Sequence, residues 1–213
     1  MLDSWTTSIP ETISMLKKHI KLDPYFSTFM KWADANSVPV IVLSSGMVSV
    51  IRSLLEELLD DKELAARIEI VANQTQPKLP LNDLNKAGGW TIKYHDDSEF
   101  GHDKSLTIRP YAEAIARMPK GKPRPTLLYA GDGVSDLSAV RETDVLFAKA
   151  GHNLITYCER ENIPFTVFEN WSSILETTRG IFEGKTDVKA VHDETLELVR
   201  TNSLTNGVEV TTK

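Results

Sequence analysis

Several things are scarce in this sequence, and each scarcity narrows the reading. There is one cysteine, Cys158, in 213 residues. A single thiol closes no intrachain disulfide and offers no cysteine framework for zinc. That fits a reducing compartment. Nothing electropositive flanks Tyr157-Cys158-Glu159, so Cys158 reads as a helix-face residue and not a nucleophile. No apolar run approaches the ~18 residues of a membrane span. The opening Met-Leu-Asp-Ser-Trp-Thr-Thr has neither the basic nor the apolar stretch of a signal peptide, and a cytoplasmic location is expected. There is no basic block either. Lys and Arg total 24 against 30 Asp and Glu, for a net charge of −6, and the pI is about 5.4. Such a chain is a poor partner for nucleic acid or an anionic membrane surface. Phosphate ligands are not excluded, because a helix N-terminus, a metal ion or one lysine can hold them locally.

What is present is ordinary globular material, with 41% hydrophobic and 25% charged residues. The length suits one domain, or one with a small appendage. Short apolar runs at residues 38–43, 68–72, 126–130, 145–148 and 165–168 read as strands. Helical patterns occupy residues 104–117, 135–141, 152–161 and 171–182, and another follows Gly46 with Val50, Ile51, Leu54, Leu55 and Leu58 on one face. Strands apolar on both faces and separated by helices predict a parallel sheet covered on both sides. Residues 8–36 look helical throughout, with Pro24 where a second helix would begin. Residues 74–100 are irregular, with residues 90–94 as an edge strand or hairpin arm. The division expected is 1–36, 37–185 and 186–213, the last a C-terminal helix with a disordered tail.

Ligands of an open parallel sheet bind beyond the carboxyl ends of its strands. The residues that fall there are Ser44-Ser45-Gly46, Asn73-Gln74-Thr75, Gly131-Asp132-Gly133-Val134-Ser135-Asp136 and Lys149. Ser44-Ser45-Gly46 follows a buried strand and precedes a helix, so the amides of Ser45, Gly46 and Met47 would face an anion at the positive helix end. Taken alone, the serine is better explained as an N-cap. Gly131-Asp132-Gly133-Val134-Ser135-Asp136 puts two carboxylates four residues apart across a glycine turn. That suits Mg²⁺, which takes one or two carboxylates with waters and substrate phosphate. The competing reading is an Asp-Gly turn with a cap, but the paired glycines and fixed Asp spacing favour the metal. Lys104 opens a helix, where a cation gains nothing from the dipole. It is more easily explained as reaching an anionic site, although a single lysine is more often solvated.

The order strand–Ser, Lys, strand–Gly-Asp-Gly-x-Ser-Asp resembles the haloacid dehalogenase superfamily, in its phosphoserine-phosphatase-like branch. Residues 42–47, 101–105 and 129–136 carry the likeness to its second, third and fourth motifs, and their wording is similar to that of fungal phosphatases. The resemblance covers about residues 10–182. It implies an α/β Rossmann-like parallel sheet with a helical cap, of which residues 1–36 would be a remnant. It further implies that Ser44, Ser45 and Gly46 bind the phosphoryl group and that Lys104 neutralises it. Asp132 and Asp136 would ligate Mg²⁺, and Asn73 would lie near the substrate. The substrate class implied is a small phosphorylated metabolite.

The same resemblance exposes the largest absence. The family's first motif is Asp-x-Asp after a central strand. Its first Asp is the nucleophile and its second the general acid and base. No Asp-x-Asp occurs in the 213 residues. Asp60-Asp61 and Asp96-Asp97 are adjacent pairs, and neither follows a buried strand. The expectation is an N-terminally truncated, inactive phosphatase chain lacking the central strand between those ending at Ser44 and Asp132. Two strand edges would then be unpaired. The rivals are a non-catalytic phosphate- or partner-binding pseudophosphatase and a receiver-type α/β domain. The receiver is disfavoured by the Gly-Asp-Gly-x-Ser-Asp loop.

Overall fold

The computed structural model describes residues 7–98, 101–119, 121 and 124–193. The chain forms two compact units, Met1–Lys104 and Ser105–Lys213. Both are α/β, with parallel strand pairs and helical crossovers, as the strand–helix alternation predicts. The strands form two three-stranded sheets, one in each unit.

Unit 1 begins with helices α1 (Ile9–His19) and α2 (Phe26–Ala35). Ser8 starts α1 through a reciprocal capping box. Its hydroxyl accepts from the Glu11 amide, while the Glu11 carboxylate accepts from the Ser8 amide at 2.8 Å. Such a cap contributes about 1 kcal/mol. Two helices fill residues 8–36 as expected, with residues 20–25 not helical between them and Pro24 two residues before α2. In α2, Phe26, Phe29, Met30 and Ala33 repeat at helical spacing and are all buried. Strand β1 (Ile41–Met47) leads into α3 (Val48–Leu58) and α4 (Lys62–Arg67), then β2 (Glu69–Pro77) and β3 (Trp90–Lys93). β1 and β2 are parallel, and β3 folds back antiparallel on β2, which is the hairpin arm expected there. Ile9, Met47, Val50 and Trp90 make a core beneath α1 and α3, and the Trp90 indole donates to the Thr7 carbonyl at 2.9 Å. The leading helices are thus packed into unit 1.

Unit 2 runs from α5, whose first residue Lys104 closes unit 1 (Lys104–Ala116), to β4 (Leu128–Gly131), a 3-10 turn (Val134–Asp136) and α6 (Leu137–Val140). Then come β5 (Val145–Lys149), α7 (Asn153–Glu161), β6 (Thr166–Phe168) and α8 (Trp171–Phe182). β4, β5 and β6 are parallel in that order, with Gly131 paired to Ala148. β5 is buried through Ala148, which is why it reads as an unbroken apolar run. Leu146, Ala148, Leu154, Cys158 and Phe165 form the core, with the Tyr129 ring packed against it. Burial, then the Glu159 charge, push the Cys158 thiol up to about 11, so it is an inert core residue. The tail expected after residue 201 lies outside the described residues. Residues 188–193 begin the expected C-terminal helix.

Among the described residues, β1 is paired only with β2 and β4 only with β5. Each is an edge strand of half-buried residues. No described helix is long and apolar enough to cross a membrane.

Candidate functional site

The residues singled out in the sequence fall into two sets, one in each unit. In unit 1, Ser44 and Ser45 were expected just beyond a strand, at the start of a helix. The strand instead continues through them to Met47, and α3 starts at Val48 with no side-chain cap. The reason is local. β1 and β2 stay paired at Met47–Asn73, so Ser45 and Gly46 bulge out of the ladder. The Ser44 hydroxyl accepts from the Gly46 amide at 3.0 Å, so it caps this bulge and not the helix. Its own proton remains to donate elsewhere. The Ser45 hydroxyl oxygen is buried and has no partner among the described residues.

Two buried side chains hold this bulge from behind. Asn73 is 1% exposed; its amide donates to the Ser45 carbonyl at 2.8 Å, and its carbonyl accepts from the His95 amide at 2.8 Å. Both ends of the side chain therefore grip backbone. Asn73 thereby fixes the position of Ser45, using one of its two amide protons to do so. His102, also 1% exposed, donates from Nδ1 to the Ser44 carbonyl at 3.0 Å and packs on the His95 ring at 4.5 Å between centroids. Gly101 brings His102 in. Its φ is +69° and an added Cβ would lie 2.2 Å from the Tyr94 ring, so only glycine fits. The Lys104 side chain is buried as well, at 4% exposed. That removes the solvated-lysine explanation, because a buried ammonium needs a compensating partner.

Burial holds the His102 imidazole below the ordinary histidine value, helped by His95 and Lys104 and opposed by the Ser44 carbonyl and Asp96. Below about pH 6.5 the unfolded chain binds a proton that the folded chain refuses until lower pH. Stability is therefore complete above that range and falls as the pH drops through it. Thermal melts at pH 7.5 and pH 5 should show this loss, and His102→Gln should flatten it.

In unit 2, Asp132 stands immediately after β4 with its side chain 64% exposed, and the His152 Nδ1 lies 3.6 Å from its Oδ2. Its carbonyl accepts from the Leu154 amide at the start of α7, 3.3 Å away. Asp136 is different. It is 4% exposed, and both its oxygens are engaged. Oδ2 accepts from the amides of Asp132 and Gly133 at 2.8 and 3.0 Å, and Oδ1 accepts from the Tyr129 hydroxyl at 2.6 Å. The two carboxylates expected to share a metal therefore have separate jobs in this geometry. Asp132 is presented to solvent and Asp136 holds the loop that presents it. Gly131 and Gly133 were read as turn-makers, yet neither has a positive φ. Gly131 is there for space, since an added Cβ would sit 2.7 Å from the Asp136 carboxyl carbon.

One exposed carboxylate with room for waters and a ligand oxygen fits Mg²⁺, which keeps much of its hydration. Among the described residues no cluster of three or more His, Cys, Asp or Glu could cage a metal by protein alone. Lys149, at the end of β5, donates to the Glu169 carbonyl and lies 5.2 Å from the Phe168 ring centroid, so it is occupied within its own unit. Sequence reasoning missed Tyr129 and His102. Tyr129 could have been found from its place in β4, two residues before Gly131 and so on the same face. For His102 the loop sequence holds no comparable signal.

The family model for haloacid dehalogenase-like hydrolases matches residues 5–141. Pdp3-interacting factor 1 of Schizosaccharomyces pombe is 49% identical over 182 residues, covering 85% of this chain and 74% of that protein. The polyol phosphate phosphatase PYP1 of Saccharomyces cerevisiae is 42% identical over 189 residues, covering 88% and 75% respectively. A 2-hydroxy-3-keto-5-methylthiopentenyl-1-phosphate phosphatase of Bacillus cereus is 25% identical over 177 residues, or 82% of this chain and 71% of that protein. With a family match over more than half its length and two relatives above two-fifths identity, the chain belongs to the haloacid dehalogenase-like hydrolases, several of whose matched members are phosphatases.

Proposed function

We propose that this chain carries the site of a Mg²⁺-dependent phosphomonoester hydrolase for a small phosphorylated metabolite, and that the 213 residues given bind this ligand without turning it over. The observation that carries the reading is Asp132, an exposed carboxylate beyond the carboxyl end of a parallel strand, on a loop fixed by Asp136. Asp132 would hold the metal. Bound Mg²⁺ would supply charge neutralisation to the phosphoryl oxygens. Within unit 1, the Ser44 proton that its bond from Gly46 leaves free, and the Ser45 hydroxyl, which lacks a partner among the described residues, are the groups we assign to an anion. Lys104 closes the same unit and would supply positive charge there. The names of two relatives support a phosphorylated small molecule, and a polyol phosphate is the substrate class we favour.

The absence of Asp-x-Asp supports the second half of the proposal. Without an attacking carboxylate the covalent route is closed, and what remains is binding. A role through a protein partner is the second reading, since one relative is named as an interacting factor.

Thermal denaturation tests the binding. At ten times the dissociation constant a ligand of the folded state contributes about 1.4 kcal/mol, or about 3–6 °C in Tm for a protein of this size. MgCl₂ with inorganic phosphate should give that shift, and Asp132→Ala should remove it. No shift in the parent chain would sink the reading.

A further inference from the structure

We infer that Tyr129 is a positioning residue for the metal-binding loop: through the Asp136 carboxylate it holds the Asp132 and Gly133 amides, and so sets the direction of the Asp132 side chain. This rests on the reading of Asp132 as the Mg²⁺ ligand. It differs from a shared metal pair, because it assigns Asp136 to the loop and brings in the phenol of Tyr129, to which the sequence reading gave no role.

The geometry is a three-part chain of charge-assisted bonds. The Tyr129 ring packs on the core of unit 2, against buried residues of α7 and β5, so the hydroxyl has a fixed origin. Its 2.6 Å bond to Oδ1 is short, as expected for O–H donating to a carboxylate. The bond blocks rotation of the Asp136 carboxyl group, which leaves Oδ2 between two successive amides at 2.8 and 3.0 Å. Those amides belong to the ligand residue and its neighbour. Gly131 makes the approach possible, since any side chain there would strike Asp136. The phenol serves as a permanent donor: burial first, then the charges of Asp136 and Asp132, hold its pKa well above the ordinary tyrosine value. An outer partner that orients a metal ligand is commonly worth about 10–100-fold in metal affinity.

The two assignments predict opposite signs for one substitution. Tyr129→Phe keeps the Asp136 charge and removes only the restraint. A positioning role predicts weaker metal binding. If Asp136 were itself a ligand, releasing Oδ1 would leave binding unchanged or tighter. Mn²⁺ binding to the full 213-residue chain, followed by electron paramagnetic resonance with Mg²⁺ competition, reads the difference. We expect one site in the parent chain, its loss in Asp132→Asn, and weakening of about tenfold in Tyr129→Phe. Equal or tighter binding by Tyr129→Phe overturns the inference while leaving the metal reading intact. No Mn²⁺ binding by the parent chain overturns both. Hydrogen exchange in the metal-free parent gives a test that needs no variant. The Asp132 and Gly133 amides should exchange slowly before any metal is added, and rapid exchange at both would rule out the clamp.

Discussion

Incubated with Mg²⁺ and an aryl phosphate, the purified 213-residue chain will release no phosphate above a Lys104→Ala control. The expected deficit against an active relative is on the order of 10⁶-fold, the scale on which losing a covalent nucleophile is felt. The argument is from placement as well as from sequence. A nucleophilic Asp must stand free at a strand end, within reach of phosphorus. The aspartates that could be considered are used locally. Asp61 caps α4 by accepting from the Leu64 amide at 2.9 Å. Asp96 accepts from the amides of Ser98 and Asp103 at 2.9 and 2.7 Å. Asp144 accepts from the Leu127 amide at 2.8 Å and pairs with Arg124. Asp34 pairs with Arg67. Asp132 follows a strand too, and we assign it to the metal and not to attack. Turnover above the control would mean that one of these residues substitutes for the missing motif, and the inactivity would be disproved.

Gly131→Ala should cost unit 2 about 3 kcal/mol, read as a lower urea midpoint, and should abolish metal binding. The added methyl would lie 2.7 Å from the Asp136 carboxyl carbon and from Oδ2, well inside contact distance. Overpacking of this kind typically costs about 1–3 kcal/mol. The strain has two exits. β4 can shift away from β5, which disturbs the Gly131–Ala148 register. Alternatively Asp136 can withdraw, leaving the Asp132 and Gly133 amides and the Tyr129 hydroxyl without their acceptor. Hydrogen bonds to a charged group contribute about 1.5–3 kcal/mol each. The backbone at 131 has no positive φ, so alanine adds no conformational strain and the effect is steric. A change under about 0.5 kcal/mol, the level of an unremarkable surface substitution, would show that Asp136 does not lie against residue 131.

The alternation of buried strands and helices was legible because β5 and its neighbours keep one composition over their whole length. Helix α8 was read with its observed limits, residues 171–182, from spacing alone. Boundaries were missed where a strand ran on through polar residues. β1 extends over Ser44 and Ser45, and β2 continues past Asn73 to Pro77, because ladder bonds to a neighbouring strand hold polar residues extended. Hydropathy does not register those bonds. The break between α1 and α2 was legible from Pro24, two residues before α2 starts.

By itself the sequence determined the class of this protein and the chemical types at its site. A strand followed by Ser-Ser-Gly, a lysine and a strand-end Gly-Asp-Gly-x-Ser-Asp, in that order, indicated a phosphatase family, and the lack of Asp-x-Asp in these residues is a fact of composition that no folding can change. Only the tertiary structure decided which groups face a ligand and which face the protein. Asp132 and Asp136 are the same residue four positions apart, and a sequence offers no reason to treat them differently. The 3-10 turn after β4 directs Asp136 back beneath Gly131, where two amides and a phenol from the core side use up its oxygens, while Asp132 is left in solvent. Asn73 is likewise turned toward the protein, buried behind the strand whose bulge it holds. A polar side chain acts on a ligand only with the valences the fold has not already taken, and that count exists only in three dimensions.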